Sequence, residues 1–319
     1  MPTSHSNSLN YKLLKLAGRQ PIQILRFFAR VLARLIHHLP ISNTTHSIAM
    51  NLEIALPELS EKQREQITRR AAKNEMLSYF EFLSIWGSNH QKNLDRLHNI
   101  HGEAYFHQAL KANTGLIMVA PHFGTWEIIN SWCSQYTAMT ILYKPIKEPA
   151  TEQFVRKARS REHSHLVPTN DSGVREIFRA LRSGGTTIVL PDHTPKLGGD
   201  LVNYFGIPVA SSHLTAKLIQ KTKASALLVY ALRNDAGGFD LYFEPMNEQI
   251  YTVSAEQGTG MIHQTIEQLI QRYPEHYHWS YKRFKANPEL ANIYTLPRRQ
   301  ASGIIQELQA SLTSDTKPS

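Results

Sequence analysis

The sequence predicts an α/β fold with a mostly parallel sheet flanked by helices, preceded by an N-terminal amphipathic helix. Between residues 114 and 243, short apolar runs that are typical of buried strands alternate with longer segments of helical periodicity. Such alternation is the pattern of a parallel sheet that is covered by helices on both faces. With 319 residues and 41% hydrophobic content, the chain can bury one large core.

Composition limits the partners of the protein. The net charge of +9 predicts a negatively charged partner, which could be nucleic acid, an anionic membrane, or acidic ligands and carriers. The sequence has no zinc-finger spacing, P-loop or RNA-recognition signature, so nucleic acid is not expected. Cys133 is the only cysteine, which excludes a disulfide framework and a thiolate metal cluster.

The predicted organisation has four segments. Residues 1–20 are predicted to form a polar N-terminal arm, and residues 21–58 a helical segment at the membrane interface. Residues 59–297 are predicted to form the α/β domain, and residues 298–319 a last helix with a polar tail. The clearest helix of the N-terminal third runs from Pro21 to Pro40. Its polar side chains fall within an arc of roughly 80°, and they are Gln23, Arg26, Arg30, Arg34 and His37.

Apolar residues occupy the other side of this helix: Ile24, Leu25, Phe28, Val31, Leu32, Leu35 and Ile36. No charge-free run approaches the roughly 20 residues that a membrane span needs, so the helix is not expected to cross a bilayer. A basic amphipathic helix suits the membrane interface, with its arginines at lipid phosphates. The alternative is a helix that packs on the core of the protein and exposes a solvated basic face.

A second helix is predicted from Leu59 to about Asn89, capped by Ser60, and a third over residues 99–112. The second helix carries Tyr79, Phe80, Phe82 and Trp86, which fit either a core or an acyl-chain groove. The remaining predicted strands and helices follow in order: strand 116–120, strand 139–143, helix 152–161, helix 173–183, strand 186–190, helix 214–221, strand 226–232 and strand 239–243.

Residues 114–127, T-G-L-I-M-V-A-P-H-F-G-T-W-E, carry the predicted chemistry. His122 directly follows a buried strand, and Glu127 falls in the first turn of the next helix, with turn and N-cap character at Gly124 and Thr125. On one helix, a separation of five residues would put the two side chains about 140° apart. A turn between them lets the carboxylate hold the imidazole as a general base for a substrate hydroxyl. The same spacing also fits a loop histidine and a glutamate that complements the helix dipole.

Other charged residues follow neighbouring strands. Lys144 comes after the strand at 139–143, Asp192 and His193 after the strand at 186–190, and Arg233 after the strand at 226–232. In open α/β sheets, ligands bind beyond the carboxyl ends of the strands. These residues are therefore expected to share one rim of the sheet with His122, where Lys144 would bind substrate.

Four stretches resemble one known family. P-H-F-G-T-W-E-I at 121–128 closely resembles the signature of the bacterial lipid A late acyltransferases, within the wider glycerolipid acyltransferase group that shares a His-x4-Asp/Glu motif. V-R-K-A-R-S-R at 155–161 resembles a region in which relatives keep an arginine, which aligns with Arg159. L-P-D-H-T-P at 190–195 resembles the family's L-x-D-Q, so Asp192 carries over and His193 does not. H-W-S-Y-K-R-F-K at 278–285 resembles W-x-x-K/R-R-F.

The resemblance implies a glycerolipid-acyltransferase-like fold and a membrane-associated enzyme of lipopolysaccharide biosynthesis. Such an enzyme moves a fatty acyl group of the lauroyl or myristoyl class from acyl carrier protein to a hydroxyl of a lipid A precursor. It works at the cytoplasmic face of the cell inner membrane without a metal or other cofactor. The resemblance implies His122 and Glu127 as catalytic residues, and Arg159 and Asp192 as substrate-binding residues. Trp279, Arg283 and Phe284 are expected to dock the C-terminal segment.

Two alternatives stay open on the sequence alone. A metal-dependent hydrolase would use the ligand-like pairs His163/His165, His276/His278 and Asp192/His193. Histidines at i and i+2 point the same way only on a strand, and neither histidine pair lies in a predicted strand. The second alternative is a peripheral membrane-binding protein whose active site is inactive.

Overall fold

The computed structural model describes residues 8–38, 43–161, 163–195 and 198–315. Contacts divide the chain into two compact units. The first unit comprises Met1–Arg30, Met76–Leu190 and Leu218–Met246, and the second comprises Val31–Glu75, Pro191–Lys217 and Asn247–Ser319. In the described part of the chain there are twelve α-helices and nine strands, and the fold class is α/β.

The first unit holds the main sheet. Its helices are α1 (Leu9–Gly18), α5 (His90–Leu94), α6 (Glu103–Ala112), α7 (Glu127–Cys133), α8 (Pro149–Arg161) and α9 (Asp171–Arg182). Its strands are β1 (Leu97–His101), β2 (Leu116–Val119), β3 (Thr140–Tyr143), β4 (His165–Pro168), β5 (Thr186–Val189), β8 (Ser225–Arg233) and β9 (Phe239–Pro245). Three helices contribute residues to both units: α2 (Ile22–His38), α4 (Glu61–Gly87) and α10 (Leu214–Thr222).

The second unit contains α3 (Asn43–Ala55), β6 (Asp200–Tyr204), β7 (Ile207–Ser211), α11 (Ala255–Arg272) and α12 (Arg298–Asp315). Strands β6 and β7 form an antiparallel hairpin, and α11 packs on β6. The prediction for residues 200–211 contained no hairpin, so this element was missed. Trp279, Arg283 and Phe284 are each at most 2% exposed, in agreement with the expected packing role.

The main sheet has five strands in the order β1-β9-β8-β2-β5. Strand β2 runs parallel to both β5 and β8, and β1 runs parallel to β9. Only the β8–β9 pair among the described strands of this sheet is antiparallel. The mostly parallel sheet is therefore confirmed. All four residues of β2 are buried, as expected for a central strand with both faces covered.

Two predicted elements differ from the structure. Residues 97–101 form edge strand β1, whereas the sequence predicts a helix from residue 99. The sequence L-H-N-I-H has no apolar alternation, so nothing but its pairing with β9 indicates a strand. Strand β3 pairs with β4 in a separate two-stranded sheet. One parallel bridge, between Met139 and Thr186, connects it to the start of β5.

The helix ends follow local chemistry. Ser60 and Gln63 form the predicted N-terminal cap of α4, with the Gln63 amide nitrogen 3.4 Å from the Ser60 hydroxyl. Gly18 of α1 lies directly against Gly87 of α4, where a Cβ on Gly87 would be only 2.3 Å from the Gly18 carbonyl. Only a residue without a side chain allows this backbone contact. Cys133 is fully buried, and burial raises the pKa of its thiol, so it is a core residue as predicted.

Helix α2 exposes Ile24, Phe28, Val31, Leu32 and Leu35 of the predicted apolar face, but Leu25 of that face is buried, and the buried side differs from the prediction. Ile22, Leu25 and Ala29 are buried, and Arg26 is buried with them at 5% exposure. Arg26 therefore does not belong to an exposed basic face, because Glu81 draws its guanidinium into the first unit. Pro40 of the predicted helix and the side chains of Ile36 and His37 lie outside the described residues. No helix in the described part of the chain is long and apolar enough to cross a membrane.

Candidate active site

His122 lies where the sequence predicts it, beyond the carboxyl end of a central strand. Strand β2 ends at Val119, and the ring of His122 follows three residues later, half-buried. Its neighbour Trp126 contacts the imidazole edge to face, with ring centroids 5.1 Å apart. Since β2, β5 and β8 are parallel, their carboxyl ends share this edge of the sheet.

The turn after His122 is held against the end of β8. Gly124 has a φ of +58° and pairs with Ala231, whose carbonyl would lie 2.1 Å from a Cβ at position 124. This close approach requires glycine. The amide of Thr125 donates to the same carbonyl at 3.1 Å. The turn is thereby placed by backbone contacts that a larger residue at position 124 would break.

The predicted N-cap role of Gly124 and Thr125 is wrong. The N-cap of α7 is Trp126, which has helical torsion angles and makes no side-chain capping bond. The hydroxyl of Thr125 is fully buried and donates to Glu81 at 2.7 Å instead. The Thr125 hydroxyl therefore donates to an ionised acceptor, and such hydrogen bonds are stronger than those between neutral groups.

Glu127 occupies the first turn of α7, as predicted. Its side chain is 8% exposed and is bound on both oxygens. Trp86 donates its indole N–H to Oε2 at 2.8 Å, and Arg159 donates Nη2 to Oε1 and Nε to Oε2, the latter at 3.4 Å. A two-point arginine contact fixes the plane of a carboxylate. The hydrogen bond between Glu127 and His122 stays a prediction.

Arg159 is a partner of Glu127 within the first unit. Its side chain is 25% exposed and lies over the Tyr143 ring, with 5.4 Å from Cζ to the ring centroid. Burial acts to lower the pKa of Arg159, but the charge of Glu127 and the hydrogen bonds to it outweigh burial and raise that pKa. Arg159 is therefore cationic at every working pH. Its predicted contact with substrate stays a prediction.

The remaining predicted residues have different settings. Lys144 directly follows β3 and is exposed. Because β3 belongs to the two-stranded sheet with β4, Lys144 does not lie at the end of a strand of the five-stranded sheet. Arg233 ends β8 at the same edge as His122, and its Nη1 is 2.7 Å from Glu81 Oε2. The predicted shared rim is thus confirmed within the first unit for His122 and Arg233. The predicted substrate contact of Lys144 stays a prediction.

Asp192 and His193 belong to the second unit, where the segment at 277–283 holds them. Asp192 is fully buried and accepts a hydrogen bond from the Tyr277 hydroxyl at 3.1 Å. The ring of His193 stacks on Tyr281, with centroids 3.6 Å apart. Two of the stretches that resemble one family are therefore in contact. The substrate-binding role of Asp192 stays a prediction.

The histidine pairs of the metal alternative have protein partners. His165 opens strand β4, contrary to expectation, and its Nε2 is 3.1 Å from Glu176 Oε2. His163 precedes the strand with a φ of +56°. In the second unit, His278 Nδ1 lies 4.0 Å from Glu75 Oε1. His165 and His278 thus each lie beside a carboxylate, and metal binding by these pairs stays a prediction.

Two residues of the site were missed by the sequence analysis, Trp86 and Glu81, both on α4. Trp86 was assigned to a core or groove among the aromatic residues, whereas its indole binds Glu127. Glu81 is fully buried between the arginines at positions 26 and 233. The available signal was a single acid between Phe80 and Phe82, since a charge inside an apolar helical stretch needs a partner when buried.

Comparison with known proteins identifies the family of this chain. The model of the family described as bacterial lipid A biosynthesis acyltransferase matches residues 1–286. A lipid A biosynthesis palmitoleoyltransferase of Escherichia coli (strain K12) is 25% identical over 253 residues, which cover 78% of this chain and 81% of that protein. A lipid A biosynthesis lauroyltransferase of the same strain is 22% identical, with 75% and 78% covered.

A lipid A biosynthesis acyltransferase of Haemophilus influenzae (strain ATCC 51907 / DSM 11121 / KW20 / Rd) is 23% identical over 278 residues, or 84% of this chain and 86% of that protein. The four stretches that carry the resemblance, from P-H-F-G-T-W-E-I to H-W-S-Y-K-R-F-K, all lie within residues 1–286. Because the family match spans most of the chain, the protein belongs to the bacterial lipid A biosynthesis acyltransferases.

Proposed function

We propose that this acyltransferase moves a fatty acyl group of the lauroyl or myristoyl class from acyl carrier protein to a hydroxyl of a lipid A precursor, with His122 as general base. The observation that carries the proposal is the position of His122 beyond the carboxyl end of β2, five residues before a carboxylate that Arg159 and Trp86 hold. Ligands of open α/β sheets bind at this edge.

In the proposed reaction, the imidazole of His122 takes the proton of the acceptor hydroxyl. The hydroxyl oxygen attacks the thioester carbonyl carbon, and a carbon–oxygen bond forms as the carbon–sulfur bond breaks. The thiol of the carrier protein leaves with the proton that the imidazole returns. Glu127 holds the imidazole in the tautomer that can accept this proton, and Arg159 and Trp86 keep the Glu127 side chain in place. The reaction needs no metal or organic cofactor.

An acidic carrier protein fits the charge of the helix that holds Arg159. On α8, Arg156, Lys157 and Arg161 are exposed, and Lys144 is exposed at the end of β3 in the same unit. Exposed basic groups around a site attract an acidic partner and orient its approach. Lys144 is proposed to contact the phosphorylated acceptor or the carrier, and Asp192 is proposed as a further substrate-binding residue, as the family resemblance implies. The charge of +9 supports both partners.

Attachment to the cytoplasmic face of the inner membrane, peripheral or monotopic, is part of the proposal. On α2 the side opposite Ile22 and Arg26 exposes large apolar side chains: Ile24, Phe27, Phe28, Val31, Leu32 and Leu35. Arg30 and Arg34 are exposed beside them. Helix α1 adds an exposed stripe of Leu9, Leu13 and Leu16, flanked by Lys12, Lys15 and Arg19. Apolar side chains with flanking cations match an anionic lipid surface.

The membrane proposal predicts that Phe27→Ser with Phe28→Ser lowers binding to anionic liposomes. Each residue is more than half exposed. Burying one Phe side chain contributes about 1.5–3 kcal/mol, and the smaller of these values already corresponds to a loss of about tenfold in liposome affinity. Co-sedimentation measures the binding. The control is Tyr105→Ser, an exposed aromatic residue on α6. Equal binding by the double variant and the control would contradict the proposal.

Charge reversal at Arg30 and Arg34 should also weaken liposome binding, and increasingly so at low salt. Arg26 is excluded from this variant because its guanidinium is buried against Glu81, where reversal would place two carboxylates together.

The reaction itself is tested by mass spectrometry of lipid A from cells with and without the protein. The proposal predicts that one or more acyl chains are missing when His122→Ala replaces the wild-type chain. Purified protein should transfer the acyl group from acyl carrier protein without added metal and in the presence of EDTA. Unchanged lipid A would favour the inactive membrane-binding alternative, and loss of activity in EDTA would favour the metal-dependent one.

A further inference from the structure

A buried cluster of charges lies directly beneath the turn between His122 and Glu127. Glu81 of α4 is fully buried, and each of its oxygens serves a different part of the first unit. Oε1 accepts from Arg26 Nε at 2.6 Å. Oε2 accepts from the Thr125 hydroxyl and from Arg233 Nη1, both at 2.7 Å. One carboxylate therefore joins α2, the turn and the end of β8.

The cluster carries more positive than negative charge. Arg26 and Arg233 share the one carboxylate, and Arg26 also donates Nη1 to the carbonyl of Gly237 at 2.5 Å. Burial lowers the pKa of Arg96, and the nearby charge of Arg26 lowers it further. Two guanidinium groups that compete for one acceptor hold Glu81 firmly, because moving it would leave a buried cation unpaired.

Thr125 transfers this constraint to the candidate active site. It is fully buried, it lies three residues after His122, and its amide is bonded to Ala231 at 3.1 Å. Its hydroxyl donates to Glu81 and accepts from Arg233 Nη1 at 3.3 Å, and these two bonds are the second attachment of the turn. Since α7 starts without a side-chain cap at Trp126, these hydrogen bonds of Thr125 define the position of Glu127, the first residue of α7.

We propose that Glu81 is a positioning residue for acyl transfer, which holds the turn between His122 and Glu127 through the Thr125 hydroxyl and ties that turn to Arg26 on α2. The catalytic half of this inference rests on the function proposed above. Its structural half is independent of the reaction, because it concerns how firmly residues 122–127 are held. A displacement of about 1 Å in such a turn costs on the order of a hundredfold in rate.

Thr125→Val tests the link, because it removes the hydroxyl and leaves the ion pairs of Glu81 with Arg26 and Arg233 in place. Hydrogen–deuterium exchange of the amides at 123–127 should be at least about tenfold faster than in the wild type, since local opening frees the turn. For acyl transfer, kcat should fall by about ten- to a hundredfold with little change in KM. Thr125→Ser, which keeps the hydroxyl, should restore most of both.

The matched control is Ser78→Ala. Ser78 accepts a hydrogen bond from the same Nη1 of Arg233 at 3.1 Å, so the variant removes one neutral bond from the cluster while Arg233 keeps its contacts with Glu81 and Thr125. Its exchange at 123–127 and its kcat should match the wild type. Glu81→Gln should act like Thr125→Val, with a lower melting temperature in addition.

The outcomes separate the two proposals. Fast exchange in Thr125→Val, with slow exchange in Ser78→Ala, supports the positioning role. If the wild type then proves unable to transfer acyl groups, only the function proposed above fails. Wild-type exchange and kcat in Thr125→Val would overturn the positioning role. Equal acceleration in Thr125→Val and Ser78→Ala would also overturn it, because the cluster would then act on general stability alone.

Discussion

Replacing His122 with alanine is expected to lower kcat/KM for acyl transfer by about three to four orders of magnitude. The half-buried imidazole at the end of β2 is the proposed acceptor for the proton of the attacking hydroxyl. Without it, water must take the proton, and the residual rate comes from binding alone. Single-turnover assays with an acyl carrier protein donor measure the loss.

Glu127→Gln should lower the activity plateau by about two to four orders of magnitude, by analogy with catalytic triads. The double variant should be little worse than His122→Ala, because groups that act as a unit are not additive. Glu103→Gln is the control. Glu103 also lies in the first turn of a helix and 3.1 Å from a histidine, His107, but it is exposed. A near-normal plateau in Glu127→Gln would mean that Glu127 only binds Arg159 and Trp86.

The second large effect is expected from Arg283→Met, which should lower the free energy of unfolding by about 2–4 kcal/mol. Arg283 is 2% exposed. Its guanidinium donates to the Ala210 carbonyl at 3.0 Å, to the Ser211 hydroxyl at 2.7 Å and to the Thr194 hydroxyl at 3.2 Å. Methionine fills a similar volume but removes all three of these hydrogen bonds. Urea unfolding measures the change.

Lys285→Met is the control for this prediction, because it removes a positive charge from an exposed position of the same 3-10 helix. It should change stability by less than about 0.5 kcal/mol, as surface substitutions usually do. Equal stabilities of the two variants would show that the fork of hydrogen bonds contributes nothing. If Arg283→Met instead lost activity at full stability, Arg283 would have to act on substrate.

The central strands were predictable because a strand that is buried on both faces consists almost entirely of apolar residues. L-I-M-V in β2 and A-L-L-V-Y-A-L in β8 are buried on both faces, so a short unbroken apolar run is enough to identify them. Edge strand β1 is half-exposed and polar, and only its pairing with β9 makes it a strand. Helix α1, in the segment predicted as a polar arm, packs through Tyr11 on Phe154 of α8, a contact that spans 143 positions along the chain.

The candidate site divides in the same way. His122 and Glu127 lie on one short motif, so their strand, turn and helix could be predicted together. Their surroundings could not, because Trp86 and Glu81 precede the motif by a long stretch of chain and Arg159 follows it. The two faces of α2 were also visible in the sequence. Which face the protein buries depends on Glu81, 55 positions from Arg26.

The contact between Gly18 and Gly87 has a consequence for the depth at which the enzyme would work. The two backbones touch here without side chains between them, and Tyr11 of α1 also packs on Phe154 of α8, so α1 is attached to the first unit at two points. Arg26 fixes α2 to the same helix through Glu81. If lipid binds the outer faces of α1 and α2, the height of His122 above the bilayer is then a constant of the fold. The enzyme would acylate only hydroxyls that a lipid presents at that height, and selection among acceptors would depend on distance from the membrane as well as on shape.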